Sequence, residues 1–346
     1  MIDSSVRGAF PSAAGYLDTA SYGLPSHATA QALHDAADAW AAATVDPRLL
    51  DPVVDRMRAA YARIVGADAA DVTLAGSVSQ VVGMVAASLP AGARVLVAEG
   101  DFASVRWPFA ADPRLSVEVV PLERLVDAVR EGVDLVAVSA AQSRDGAVID
   151  LAALAQAARS AHVRTLVDVS QSAPWLPIDA RLFDVVVAGA YKWLDAPRGI
   201  ALAAVRPEAC WVRPVYASWY GADSPWDSLY GAGVDLSSGA RRLDASPPWP
   251  LLEAGATALE LHARIGWRDA FAHTTGLADE FRAALGMAPA GTAIVSVRAD
   301  ARAFAEAGLR VAERGGRVRL GFHVYNDESD LARAVDAARA AMLVAA

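Results

Sequence analysis

The chain has 346 residues, a formal net charge of −9 and a single cysteine, Cys210. That cysteine count excludes an internal disulfide framework or a cysteine-built metal cluster and fits a cytosolic compartment. A composition 54% hydrophobic and 21% charged builds a core, and an acidic balance without a basic block argues against nucleic acid or an anionic membrane as partner.

The first 14 residues show no charged segment leading into an apolar run, so no secretory signal is expected. No apolar run reaches the roughly 20 residues of a membrane span. The length predicts about two domains. Of the 31 basic residues, all but Lys192 are arginine. A GC-rich coding bias accounts for that excess.

Taken in chain order, helix periodicity predicts helices over 27–43, with Pro25 and Ser26 as start signals, and over 51–65. The stretch from Thr73 to Gln80 reads as a short strand, a tight turn and a helix running to about Leu89. Apolar, β-branched runs predict strands at 95–99, 116–120, 134–139, 163–168, 184–188 and 200–205. Helix-period stretches at 122–130 and 151–161 separate several of them, so the expected fold class is α/β, with a mostly parallel sheet flanked by helices.

From about 206 to 250 the pattern changes. Trp211, Trp219, Tyr220, Trp226, Tyr230 and Trp249 crowd a long connection that is too aromatic for disorder. Packing, a subunit contact and a substrate-pocket role are all open for it. Helices follow at 251–265 and 267–285, strands at 293–298, 309–312 and 317–322, and a closing helix at 330–344. The expected division is a large α/β domain over 15–245 and a small α+β domain of 1–14 plus 246–346.

In open parallel sheets, ligands bind outside the carboxyl ends of the strands. Phe102 follows the first predicted strand of that set, Gln142 and Ser143 follow the third, Asp168 ends the fourth with Gln171 close behind, and Lys192 follows the fifth. A lysine is usually a solvated surface charge. Lys192 instead sits among Gly189, Ala190, Tyr191, Trp193 and Leu194, a setting that disfavours the ammonium and favours a nucleophilic amine. Asp168, at the end of an apolar run, reads either as a strand-end cap or as a buried anion for a cationic ring. Gly76, Ser77, Val78 and Ser79 open a helix whose free N–H groups suit a phosphate, although ordinary capping explains a lone serine there. No Gly-x-Gly-x-x-Gly follows a strand and no Walker-type Gly-Lys-Ser is present, so NAD and ATP are poor fits.

A phosphate cradle, a strand-end aspartate and a buried lysine together resemble the class V aminotransferase family of fold-type I pyridoxal-phosphate enzymes. That family includes cysteine desulfurases, isopenicillin N epimerase-like proteins and the ergothioneine C–S lyase. The most specific matches are Asp168-x-x-Gln171 and Lys192-Trp193-Leu194-x-x-Pro197-Arg198-Gly199. Tyr16-Leu17-Asp18-Thr19-Ala20 resembles the N-terminal motif. Val318-Arg319-Leu320 with His323-x-Tyr325-Asn326 resembles the C-terminal substrate motif.

The resemblance implies pyridoxal 5'-phosphate as cofactor, held covalently by Lys192, which also moves the substrate α-proton. It implies Asp168 at the pyridine nitrogen, Gln171 at the ring hydroxyl and Phe102 stacked on the ring. Ser77, Val78 and Ser79 would hold the phosphate, and Arg319 the α-carboxylate of an amino-acid substrate. Gln142, Arg144, Tyr220 and His323 are candidates to read its side chain. A homodimer in which both subunits build each site is also implied.

The chain departs from the family at several points. Gly189 and Tyr191 stand where Ser or Thr and His are usual. The Gly-Thr pair that reaches across the interface is absent, and residues 242–248 offer Ser246 at best. Cys210 follows the Lys192 segment instead of lying where desulfurases carry their reactive cysteine, and an inert buried thiol is expected. Transamination is the leading expectation. C–S lysis, another β-elimination, epimerisation and a non-catalytic cofactor-binding protein remain as alternatives.

Overall fold

The computed structural model describes residues 2–230 and 232–344. Uninterrupted runs of valine, leucine and alanine make strands that must be covered on both faces. Seven form one sheet: β1 (Val72–Ala75), β2 (Arg94–Ala98), β3 (Ser116–Val120), β4 (Leu135–Ser139), β5 (Arg164–Asp168), β6 (Val185–Gly189) and β7 (Ala201–Val205). Their order is β1-β7-β6-β5-β4-β2-β3. Only β7 runs against the rest.

Side chains alternate between the faces with the two-residue period of a strand. Leu96, Val136, Val167 and Val186 join one core cluster with Val54, Tyr61 and Leu154, while Val95, Leu135, Leu166 and Val185 join another with Val82, Val85 and Phe109. Helices Asp51–Val65, Leu151–Ala161 and Leu252–Ile265 cover the first face; Val78–Ser88 and Ala103–Ala110 cover the second.

Leu252, Ala256 and Leu259 lie in the same cluster as Val54, Met57 and Tyr61. Helix Leu252–Ile265 therefore packs over the large sheet, although its sequence position follows the 245/246 division. Helix Ala103–Ala110 was not expected, because Pro108 and two aromatic residues weaken its propensity. Burial of Val105 and Phe109 against the sheet supports it.

A second sheet, order β8-β10-β9, is antiparallel: β8 (Ile294–Val297), β9 (Ala312–Arg314) and β10 (Arg317–Gly321). Helices Trp267–Ala284 and Glu328–Val344 share its core through Leu277, Phe281, Ala334 and Ala338. The strand expected at 309–312 is displaced to Ala312–Arg314. Gly315 and Gly316, both at positive φ (58° and 71°), make a two-residue turn that pairs Arg314 with Arg317 and so fixes the register. Residues 309–311 instead run beside the N-terminal segment, where Arg310 bridges Tyr16. No helix among the described residues is long and apolar enough to cross a membrane.

Candidate active site

Because β1, β2, β4, β5 and β6 point the same way, their carboxyl ends share one edge. β5 ends on Asp168, β6 ends three residues before Lys192, β1 leads into Gly76 and Ser77, and β2 leads into Phe102. Ser77, Val78, Ser79, Phe102, Asp168 and Lys192 line one cavity of about 200 Å³ there. Ser77 is the N-cap of helix Val78–Ser88, accepting from Gln80 N–H. The first N–H groups of that helix, which have no intrahelical acceptor, belong to the same wall.

Lys192 is only 7% exposed. Its Nζ lies 5.0 Å from the centre of the Phe102 ring and 5.6 Å from that of Tyr191. Burial pushes the amine down to about 8; Asp168 pulls it back up, and Arg319, Arg314 and Arg198 push it further down. Burial also raises the Asp168 carboxyl above the usual range, against two hydrogen bonds from Ser170 and the attraction of Lys192. Asp168 Oδ1 accepts from Ser170 N at 2.8 Å and Ser170 Oγ at 2.5 Å. Ser170 Oγ accepts in turn from Gly189 N–H at 2.8 Å. One serine hydroxyl thus ties the aspartate to the end of β6.

The turn carrying Lys192 is held on both sides. Gly23 N–H donates to Tyr191 O, and Asp195 N–H to Lys192 O. Asp195 Oδ2 lies 2.8 Å from His262 Nε2 and 3.4 Å from His323 Nε2, all three side chains being buried. Val324 N–H donates to His323 Nδ1, which leaves the proton on Nε2, 3.1 Å from Trp193 O. The His323 ring stacks between Trp193 and Tyr325. Burial pushes its pKa down to about 4.

Three expected residues do not reach the cavity wall. Gln171 spends its amide on Ala20 O, Ser143 Oγ and Trp193 Nε1–H. Gln142 is buried, and its Nε2 donates to Ser139 O at 3.3 Å. Arg319 is 1% exposed. Its Nη1 donates to Ser143 O and Oγ, its Nη2 donates to Ser21 Oγ and lies 3.6 Å from Asp18, and its Nε is buried without a partner. Burial, then Arg314, push its pKa down to about 10. Tyr220 donates to Asp51 and serves the scaffold.

Cys210 is exposed, against the expectation of a buried thiol. It follows the far end of β7, a strand whose first residue faces the Lys192 edge, and so lies across the sheet from the site.

Sequence reasoning passed over Ser170 and Arg198, both in the cavity wall. Arg198 stands with its guanidinium 5.1 Å from the centre of the Tyr191 ring. The Asp168-x-Ser170 spacing, two residues along one strand end, was the available signal for the first. Arg198 stood in a recognised motif without a role.

Fold and cavity together give an α/β protein in which a helix start, a buried carboxylate and a buried amine share one cavity at the carboxyl edge of a mostly parallel sheet. The class V aminotransferase family model matches residues 53–305. The chain is 30% identical over 304 residues, 80% of each chain, to "Uncharacterized aminotransferase YcbU" of Bacillus subtilis (strain 168). Among solved structures it resembles the cysteine desulfurase CsdA of Escherichia coli, with a TM-score of 0.83 and 20% identity over 99% of this chain and 98% of that one. It also resembles the cystine C–S lyase C-DES, solved with its product cysteine persulfide, with a TM-score of 0.82 and 19% identity over 94% of this chain and 99% of that one. The chain belongs to the class V aminotransferase family, and it is a pyridoxal phosphate-dependent enzyme.

The donor set fits that cofactor. Asp168, buried and with Oδ1 occupied by Ser170, gains from a protonated ring nitrogen. Helix N–H groups and Arg198 suit a phosphate. Burial lowers the Lys192 pKa to about 8, which raises the share of neutral amine that can add to an aldehyde.

Proposed function

We propose that this chain is an aminotransferase whose amine is Lys192. When bound, pyridoxal phosphate supplies a ring that accepts electrons from the bond broken at the amino-acid α-carbon. Lys192 would hold the cofactor through Nζ, and once freed by the incoming amino group that Nζ would be the base that takes the proton from the substrate α-carbon. Asp168 keeps the ring nitrogen protonated, and Ser170 fixes the Asp168 carboxylate in position. Ser77, Val78 and Ser79 would hold the phosphate with their backbone N–H groups, and Arg198 would add a cation where Gly189 lacks the usual hydroxyl.

Tyr191 takes the space of that hydroxyl and of the usual histidine. A Cβ at Gly189 would stand 3.3 Å from Tyr191 Cε1, so the bare glycine makes room for the ring. Phe102 covers the face of the site opposite the lysine. Arg319 receives the substrate α-carboxylate by exchanging its bonds to Ser21 and Ser143, and Gln171 holds Ser143 beside it. The assembly that goes with this reading is a homodimer, whose mass light scattering reads.

The observation that carries the reading is the lone lysine of the chain, buried, with a lowered pKa and in one small cavity with Asp168 and a helix start. An amino-donor screen on the purified protein, followed by visible absorption and by release of an oxo acid, tests it. Lys192→Ala is expected to lose the covalent visible band and the donor response together. An unchanged band in that variant, or pyruvate and ammonia formed without an oxo-acid acceptor, sinks it.

A further inference from the structure

Two guanidinium groups converge on one hydroxyl beside the site. Arg319 Nη2 donates to Ser21 Oγ at 2.7 Å, and Arg314 Nη2 donates to the same oxygen at 3.1 Å. Ser21 lies two residues before Gly23, whose N–H holds the carbonyl next to Lys192. Arg319 comes from the buried middle of β10 and Arg314 from the exposed end of β9, so the pair runs from the interior to the surface.

Asp18, 3.6 Å from Arg319, is the carboxylate at the inner end. Among the described residues no carboxylate lies in ion-pair range of Arg314, whose other bond goes to Glu313 O. A third arginine passes the same turn. The stem of Arg144 lies 3.7 Å from where a Cβ would stand on Gly315, in the turn after Arg314, and its guanidinium lies 3.1 Å from the corresponding position on Gly100. Phe102, two residues on from Gly100, faces Lys192. Arg144 pairs with its neighbour Asp145 at 3.3 Å, both in solvent reach.

Arg319 and Arg314 lie outside the cavity wall but near enough to push the Lys192 amine down. Each lowers the proton affinity of its surroundings, and among the described residues only Asp18 lies beside them; Arg144 adds a third cation next to the turn that follows Arg314. Like charges held this close raise the energy of the free protein and are relieved by a bound anion. The α-carboxylate of an amino acid answers one of them, Arg319, and leaves the outer two.

On the reading of this chain as an aminotransferase, we infer that its substrate is an acidic amino acid, and that Arg314, backed by Arg144, receives the side-chain carboxylate while Arg319 receives the α-carboxylate. The chemistry required is two carboxylates a few bonds apart. A neutral amino acid fills only the inner position. Arg314 is thus a specificity-determining residue.

The test separates this inference from the reading beneath it. The holoenzyme is first scored for its visible cofactor band; absence of the band counts against the aminotransferase reading alone. Glutarate and butyrate, which differ by one carboxylate and carry no amine, are then titrated by calorimetry. Glutarate is expected to bind at least about tenfold more tightly, the scale of one charge-assisted contact. Arg314→Met erases that preference, whereas Arg302→Met, at an exposed arginine paired with Asp300, preserves it. In turnover, Arg314→Met raises the KM for L-glutamate about tenfold and leaves that for L-2-aminobutyrate unchanged. Equal binding of the two acids, no binding of either, or a preference that survives Arg314→Met overturns the inference.

Discussion

Lys192→Met in the cofactor-free protein isolates the cost of holding an amine in the site. Burial lowers the Lys192 pKa from 10.5 to about 8, a difference worth about 3 kcal/mol. The folded-state value lies below the unfolded one. Below pH 8 both states carry the proton and the full penalty is present. Between pH 8 and 10.5 the folded protein has lost the proton and the unfolded chain keeps it, so stability rises with pH. Above 10.5 neither state is charged and the penalty is gone.

Methionine, of similar length and uncharged, carries no such penalty at any pH. Urea unfolding of wild type and Lys192→Met, both without cofactor, should show the variant more stable at pH 7 by about 3 kcal/mol relative to their difference at pH 11. At pH 10 most of that advantage should already have gone. The same shift leaves about one lysine in ten neutral at pH 7, roughly 300-fold more than for an ordinary lysine. Uptake of an aldehyde should accordingly climb about tenfold between pH 6 and pH 7 and level off above 8. A stability difference independent of pH, or one growing with pH, refutes the argument.

Two further outcomes follow from particular contacts. Asp195→Ala leaves the buried His262 Nε2–H without its acceptor and removes one from His323; it should lower unfolding stability by about 2 kcal/mol, read from the urea midpoint, and a loss below about 0.5 kcal/mol would count against the buried clasp. Cys210→Ser, or alkylation of Cys210, should leave the donor-driven spectral change within about twofold, since the thiol lies at the opposite edge of the sheet; a tenfold loss would place sulfur in the chemistry.

Much of the large sheet was legible in the sequence because its strands are buried on both faces and therefore apolar throughout. Helix 51–65 was legible because it shows one apolar stripe and a glycine stop at Gly66, which adopts φ 71°. What periodicity alone does not carry is pairing. The antiparallel insertion of β7 between β1 and β6 leaves no mark on its sequence, which reads like that of its parallel neighbours. The slip of β9 has the same origin. Residues 309–312 are as apolar as a strand needs, but the two glycines at 315 and 316 decide which residues face Arg317.

The site divides along a similar line. Asp168, Lys192, Phe102 and Ser77 to Ser79 were legible because position at a strand end determines which edge a residue occupies. Arg319, Gln171 and Gln142 were not fully legible, because a side chain near that edge is also drawn toward competing partners, and Ser143, Ser21 and Ser139 O supply them. The replacements at Gly189 and Tyr191 make the point most sharply. Read one at a time, the first removes a side-chain hydroxyl and the second the usual histidine. Read in space, the ring of one fills the room left by the other, against Val78 at the helix start and under the guanidinium of Arg198. On the proposed reading the Arg198 cation in the same wall offsets the lost hydroxyl, and a sequence scan that scores positions independently registers two losses and no gain. Arginine serves that role; it does not serve at position 192, where the group must shed a proton and add to a carbonyl. In a chain that uses arginine for every other basic residue, the one lysine lies where a guanidinium has no chemistry to offer.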